Sequence, residues 1–476
     1  MTWQTVIGLE IHAQLKTTSK LFSSADTAYG ASPNSHTCFI DAGLPGVLPV
    51  LNQKAVHMAI QFGLAINAEI NDLSYFERKN YFYPDLPKGY QISQFQRPIV
   101  SNGELEINVE NQVKKIIIER AHLEEDAGKS IHDMHELYTA IDLNRAGTPL
   151  LEIVTTPCMF SAAEAIAYLK TIHQLVKFLD ICDGNMQEGS FRCDVNLSLR
   201  KMGDEKLGTR TELKNLNSFR FIEKAIIYEQ NRHQDLLESG QHITQETRLY
   251  CPNTDRTQVL RSKENENDYR YFPDPDLLPI NISSSLLEEI KLSMPELPAE
   301  IIKRLEFEDK LSVDDIEFLL SSTAIIKYYD NVKKLSHADT KTIVNWLKGN
   351  YSAALNAASL SFEKAPVPEI YLAELLNKLT DNKINSNIAK SIFAKLMIKL
   401  QPIDELINSA GFNNQIDNNL LEDIIKEIIK NNPKQVEDFL SGKEKIFSFF
   451  VGLVMKQTKG GADPAKANEL LRLYLK

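Results

Sequence analysis

Apolar and polar residues alternate strictly in two segments of the chain, and each alternation predicts a strand with one covered face. In VIGLEIHAQL, residues 6–15, Ile7, Leu9, Ile11, Ala13 and Leu15 share one face, while Glu10, His12 and Gln14 share the other. In FRCDVNLSLR, residues 191–200, the apolar set is Cys193, Val195, Leu197 and Leu199; Arg192, Asp194, Asn196, Ser198 and Arg200 lie opposite. A face this polar ordinarily meets water in an antiparallel sheet covered on one side. PLLEIV and TRTELK predict shorter strands, the second with Arg210, Glu212 and Lys214 on one face. Residues 219–239 read as a helix, with Asn217 or Ser218 as N-cap and Gly240 beyond its end.

From Ser293 onward the texture changes. Blocks such as SVDDIEFLLSS and NLLEDIIKEIIKNN repeat apolar residues at intervals of three and four, and Asn432 with Pro433 stops the last of these helices. The chain of 476 residues is too long for one core. The pattern predicts an α+β protein: a mixed, largely antiparallel sheet with helices over residues 1–292, a helical domain over 293–402 and a helical tail over 403–476.

Composition narrows the class. Hydrophobic residues at 43% and charged residues at 25% are ordinary for a soluble globular protein. There is no basic N-terminal segment followed by an apolar core, and no run of about eighteen apolar residues, so neither signal-directed secretion nor a membrane span is expected. Cys38, Cys158, Cys182, Cys193 and Cys251 are scattered, odd in number and without CxxC spacing, which predicts a reduced, cytoplasmic chain. A net charge of -11 argues against a surface that coats nucleic acid generally. Any such partner must meet a local patch, and residues 441–476 supply one, with seven Lys or Arg against three acids.

The stretch AHLEEDAGK places Glu124, Glu125 and Asp126 side by side just before Gly128. Charge runs are ordinarily solvated, and only other acids aimed at the same place would overturn that reading. Glu152 is one candidate, because a carboxylate flanked by Leu150, Leu151, Ile153 and Val154 is partly buried and needs a partner or a metal. With Glu10, His12 and Asp194 these acids form a set of hard oxygen donors plus one imidazole, suited to Mg²⁺ and admitting Mn²⁺. Periodicity alone leaves the solvated and metal-binding readings both open. Two short motifs lead nowhere: GKS at residues 128–130 lacks the earlier glycine of a P-loop, having Leu123 there, and HDMHE at residues 132–136 is not the zinc motif HExxH. His132 and His135 are expected on a surface loop.

VIGLEIHAQL, RKNYFYPDLPKGYQISQ, HLEEDAGKSIHD, DLNRAGTPLLEIV, MQEGSFRCDVNLSLR, TELKNLNSF, DYRYFPDPDLLP and VGLVMKQTKGGADP together resemble the GatB family, the B subunits of glutamine-dependent aspartyl/glutamyl-tRNA amidotransferases. The resemblance runs nearly end to end. It implies a ligase that uses ATP to phosphorylate the side-chain carboxylate of Glu-tRNA(Gln) or Asp-tRNA(Asn) and then amidates it with ammonia. The ammonia comes through a tunnel from the amidase, the A subunit of a heterotrimer whose small third member, the C subunit, braces the other two. It further implies that Glu10, His12, Glu124, Glu125, Glu152 and Asp194 hold Mg²⁺ or Mn²⁺, with Glu10, His12, Glu125 and Glu152 catalytic. Successive residues of a strand point to opposite faces, so Glu124 and Glu125 are not expected on the same ion.

By the same resemblance, Asn144, Arg145, Arg192, Glu212 and Lys214 are expected to contact ATP or substrate. Structural ion pairing for the two arginines and helix capping by Asn215 or Asn217 are the competing readings. Lys79, Tyr83 and Lys88, in a stretch with seven aromatics in residues 75–95, are expected at the tunnel outlet or the aminoacyl end, the alternative being a packed hairpin. Lys456, Lys459 and Gly460 resemble a YqeY-like tRNA-binding tail. Some family members carry paired cysteines suited to zinc where this chain has Cys38 and Asp41, so no zinc is expected. The rival readings are a non-catalytic tRNA-binding adaptor, disfavoured because its acids would repel the tRNA backbone, and a stand-alone nucleotidase.

Overall fold

A computed structural model describes residues 2–132, 134, 136–262, 269–409, 418–458, 462 and 464–475. It divides into two units, Met1–Pro298 and Ala299–Lys476. The main sheet of the first has nine strands among the described residues: β1 Trp3–Gln14, β2 Glu69–Ile70, β3 Val100–Val109, β4 Gln112–Glu125, β5 Pro149–Thr155, β6 Phe191–Lys201, β7 Thr211–Lys214, β8 Glu246–Cys251 and β9 Arg256–Ser262. They form one sheet in the order β9-β8-β7-β6-β1-β5-β4-β3-β2. Only β7 and β8 run parallel; the other neighbours are antiparallel. The fold is therefore α+β, as the alternation predicts.

One face of this sheet is covered by helices α1 Gln53–Ala65, α2 Ala162–Phe178 and α3 Phe219–Glu238. Ile7, Leu9, Ile11, Ala13, Cys193, Val195 and Leu197 are buried in that core. Ser218 caps α3, accepting a hydrogen bond from the backbone of Phe221. Asn217 is not the cap. The alternate residues of the same strands emerge on the opposite face.

Gly128 follows the three acids because of space. A side chain there would meet the Asp142 carbonyl at 2.9 Å and the Asp85 carbonyl at 3.0 Å. Beyond it, His132 is exposed and His135 lies outside the described residues. The aromatic stretch splits in two. Phe76 packs edge-on against Phe22 in the core, whereas Phe82 is exposed.

Every regular element among the described residues of the second unit is a helix. Its divide from the first falls after Pro298, a few residues beyond the expected 292/293 boundary. No division appears at residue 402, although Leu421, Ile425, Phe450, Val454 and Leu471 form an apolar cluster of their own in the tail. The predicted helix over NLLEDIIKEIIKNN is Asn418–Asn431, and Pro433 opens the next one. No helix among the described residues is long and apolar enough to cross a membrane.

Candidate active site

Strand register alone assembles a polar wall on the open face of the sheet. His12 stands opposite Glu152 of β5 and Arg192 of β6, and Glu152 stands opposite His122 of β4. One step along, Glu10 faces Asp194, and Asn196 faces Glu212 of β7. Directly opposed side chains of antiparallel strands lie close enough to interact. These strands thus deliver their polar alternates to one place, lining a cavity of about 1340 Å³.

The wall carries two donor groups. In the first, His12 Nε2 lies 3.4 Å from Glu124 Oε1 and 3.7 Å from Glu152 Oε2, and His122 Nε2 lies 3.1 Å from the same Glu152 oxygen. In the second, one carboxylate oxygen each from Glu10, Asp194 and Glu212 lies within 4.8 Å of the others. Neighbours hold this second group in place. Asn196 Nδ2 donates to Glu10 Oε1 at 2.8 Å, Thr247 Oγ1 donates to Glu212 Oε2 at 2.6 Å, and Lys214 Nζ binds Asp194.

Electrostatics follow from crowding these charges out of water. Burial disfavours the His12 imidazolium, but its hydrogen bond to Glu124 and the charges of Glu152 and Glu124 override that and raise its pKa to about 9. Burial likewise opposes the Glu152 carboxylate, yet His122, His12 and Lys79 hold its pKa well below the usual range. Lys79 is kept charged despite burial by Tyr271, Glu124 and Glu152. It lies 4.9 Å from the ring centre of Tyr269, beside Tyr271 stacked on Phe95 at 4.3 Å.

Both groups fit a divalent cation, the first provided that His12 gives up its proton as the ion binds. Their donors are hard oxygens with imidazole at the first group, the set that Mg²⁺ and Mn²⁺ take. At the second, Asn196 Oδ1 is buried without a hydrogen-bond partner and offers a further oxygen.

The three adjacent acids part company. Glu124 joins His12, whereas Glu125 turns to the other side of the strand, accepts the Ile92 N–H at 2.9 Å and pairs with Lys88. Glu125 is therefore in neither donor group, as alternation along β4 explains. Asp126 accepts from Arg192 Nη2 at 2.9 Å and Gln14 Nε2 at 3.1 Å. Burial opposes its ionisation, and Arg192 with Arg145 outweighs that and lowers its pKa.

Other expected contacts also move. Arg145 donates to the Ala127 and Gly128 carbonyls, and Asn144 donates to the Ser32 carbonyl and accepts from the His36 N–H. Asn144, Arg145, Arg192 and Lys88 do not line the cavity; Lys79, Tyr83, Glu212 and Lys214 do. Glu212, expected as an ATP or substrate contact, sits among the metal-type donors. Asp41 accepts from Lys20, Ser23 and the Cys38 N–H. Lys456 is exposed near the end of helix Phe447–Gln457, and Lys459 and Gly460 lie outside the described residues.

Sequence reasoning missed His122 and Thr247. The first was detectable, since it shares a strand face with Glu124 two residues on. The second had no signal, because its partner lies 35 residues away on a parallel neighbour.

Residues 5–288, which contain both donor groups, match the family model described as the GatB/GatE catalytic domain, and residues 327–475 match the GatB domain. The chain belongs to the GatB/GatE family. It is 63% identical over 476 residues, the whole of both chains, to the aspartyl/glutamyl-tRNA(Asn/Gln) amidotransferase B subunit of Legionella pneumophila (strain Lens). Proteins of the same name are 54% identical in Thioalkalivibrio sulfidiphilus and 52% identical in Coxiella burnetii (strain CbuG_Q212), again over all of each chain. The wall of β1, β4, β5, β6 and β7 thus lies inside the GatB/GatE catalytic domain of this family member.

Proposed function

We propose that this chain is the subunit of a tRNA-dependent amidotransferase that activates the side-chain carboxylate of misacylated Glu-tRNA(Gln) or Asp-tRNA(Asn) with ATP and then converts it to the amide. The observation that carries this reading is the pair of donor groups side by side on one cavity wall. In the first step a carboxylate oxygen bonds to the γ-phosphorus and ADP leaves. In the second, ammonia bonds to the acyl carbon and phosphate leaves with the surplus proton.

His12, Glu124 and Glu152 would hold one divalent cation, and Glu10, Asp194 and Glu212 another. Such ions supply neutralisation of phosphate charge and alignment for transfer. The protein's own part is positioning. Lys79 places a fixed positive charge beside the first group, Lys214 does so at the second, and Tyr81, Tyr83, Tyr269 and Tyr271 complete the lining of the cavity. Ammonia supply calls for an amidase partner, the A subunit, together with a small C subunit. The basic tail, including Lys456, Lys459 and Gly460, suits tRNA backbone contact in a cytoplasmic complex.

The test is phosphate release from ATP by the assembled complex with Glu-tRNA(Gln), comparing the native chain with Glu10→Gln and Glu152→Gln. Loss of ATP turnover and amide formation, with glutaminase activity and tRNA affinity kept, supports the reading. Undiminished ATP turnover in both variants refutes it.

A further inference from the structure

The second donor group already contains a cation of its own. Lys214 Nζ binds Asp194 Oδ2 and lies 3.3 Å from Glu212 Oε1, within a group whose three carboxylates approach one another to 4.8 Å. The other Glu212 oxygen is taken by Thr247, and one Glu10 oxygen by Asn196. The ammonium therefore uses the oxygens that a divalent ion would need. Two cations a few ångströms apart on the same oxygens repel strongly, so ion and ammonium compete. Lys214 also has room to leave: its side chain is 30% exposed, lines the cavity and ends a flexible four-carbon stem.

We propose that Lys214 is a place-holding cation, bound to Asp194 and Glu212 in the ion-free site and displaced into the cavity by an entering divalent cation, where its ammonium takes up the nucleotide phosphates. This rests on the reading above, that Glu10, Asp194 and Glu212 hold an ion. The displacement would couple ion entry to nucleotide binding: the charge that guards the empty site becomes a phosphate contact once the site is filled.

Opposite changes in two affinities distinguish this role from simple structural pairing. Mn²⁺ binding to the full chain in its assembled complex is measured from the electron paramagnetic resonance of free Mn²⁺, counting the ion lost in Glu10→Gln. ATP affinity is measured at saturating Mn²⁺. Lys214→Met should bind this Mn²⁺ at least about tenfold tighter, because a competing unit charge is gone, and ATP at least about tenfold more weakly. Lys214→Gln should show the same pair of changes if the methionine variant fails to fold. Lys214→Arg, which keeps the charge, should bind Mn²⁺ no tighter than the native chain.

Mn²⁺ binding unchanged or weaker in both neutral variants overturns the proposal, as the ammonium is then only a structural partner. Tighter Mn²⁺ binding with unchanged ATP affinity overturns the transfer to phosphate. Native Mn²⁺ binding in Glu10→Gln is a different failure: it removes the ion from this group and takes the underlying reading with it.

Discussion

The sheet carries buried acids and histidines on both faces, assembled in contrasting ways. Behind it, between α3 and strands β7–β9, Glu229 is fully buried and meets Arg232 at 2.8 Å, His233 at 3.3 Å, Arg248 at 3.6 Å and the Thr257 hydroxyl at 2.8 Å. Glu246 completes this cluster against Arg248, and the Thr211 hydroxyl meets His233 at 2.8 Å. Acids and bases balance, and the cluster lies within the packed structure. In front, Glu10, Asp194, Glu212 and Glu152 line a cavity, with Glu124 beside His12. A closed, internally paired cluster fixes the fold, whereas converging carboxylates that open on a cavity are suited to taking up a cation.

The largest effect expected from breaking this contrast is on stability. Glu229→Ala leaves Arg232 and Arg248 without their buried partner, and should lower the unfolding free energy by about 3–5 kcal/mol in denaturant titration while ATP turnover per folded molecule is retained. Collapse of turnover without loss of stability would reverse the roles assigned to the two faces. Glu10→Gln should do the opposite, reducing phosphate release about 100- to 1000-fold with a native melting curve.

Acid provides a third, smaller test. Burial works against ionised Glu229, but His233 and Arg232 hold its pKa at about 2, below the ordinary 4.5. A depressed carboxylate stabilises the folded state fully above its unfolded pKa and loses that contribution as pH falls through the folded one. Stability of about 3 kcal/mol should therefore be lost as pH falls from about 4.5 to 2. Glu229→Gln should flatten that part of the stability profile, and an identical slope in both proteins would show that Glu229 is not its source.

The smallest effect concerns the support of the open group. Thr247→Val removes the hydroxyl that holds Glu212 and should weaken Mn²⁺ binding about tenfold, as losses behind a metal ligand commonly do. Thr247→Ser should restore it at unchanged melting temperature. Equal Mn²⁺ affinity in all three would leave Thr247 a packing residue.

Some of this contrast is legible in the chain. Strict alternation in residues 6–15 and 191–200 places Glu10, His12, Asp194 and Asn196 on the side away from the core, and the apolar flanks of Glu152 signal its burial. The cluster behind the sheet is not legible in the same way. Glu229 and His233 lie four residues apart on α3, but their partners on β7, β8 and β9 come from other parts of the chain. Nor does Arg145 announce that backbone carbonyls and Asp126 will occupy its guanidinium.

By itself, the sequence determined which elements form and which face each side chain takes, because the periods of strand and helix are local properties of consecutive residues. It also determined membership of the GatB/GatE family, through motifs spread along the whole chain. Only the tertiary structure decided which acids converge: that Glu124 meets His12 while Glu125 meets Lys88, and that Glu212 joins Glu10 and Asp194. Those choices depend on strand order, register and the packing around them, and they are settled between residues far apart in the chain.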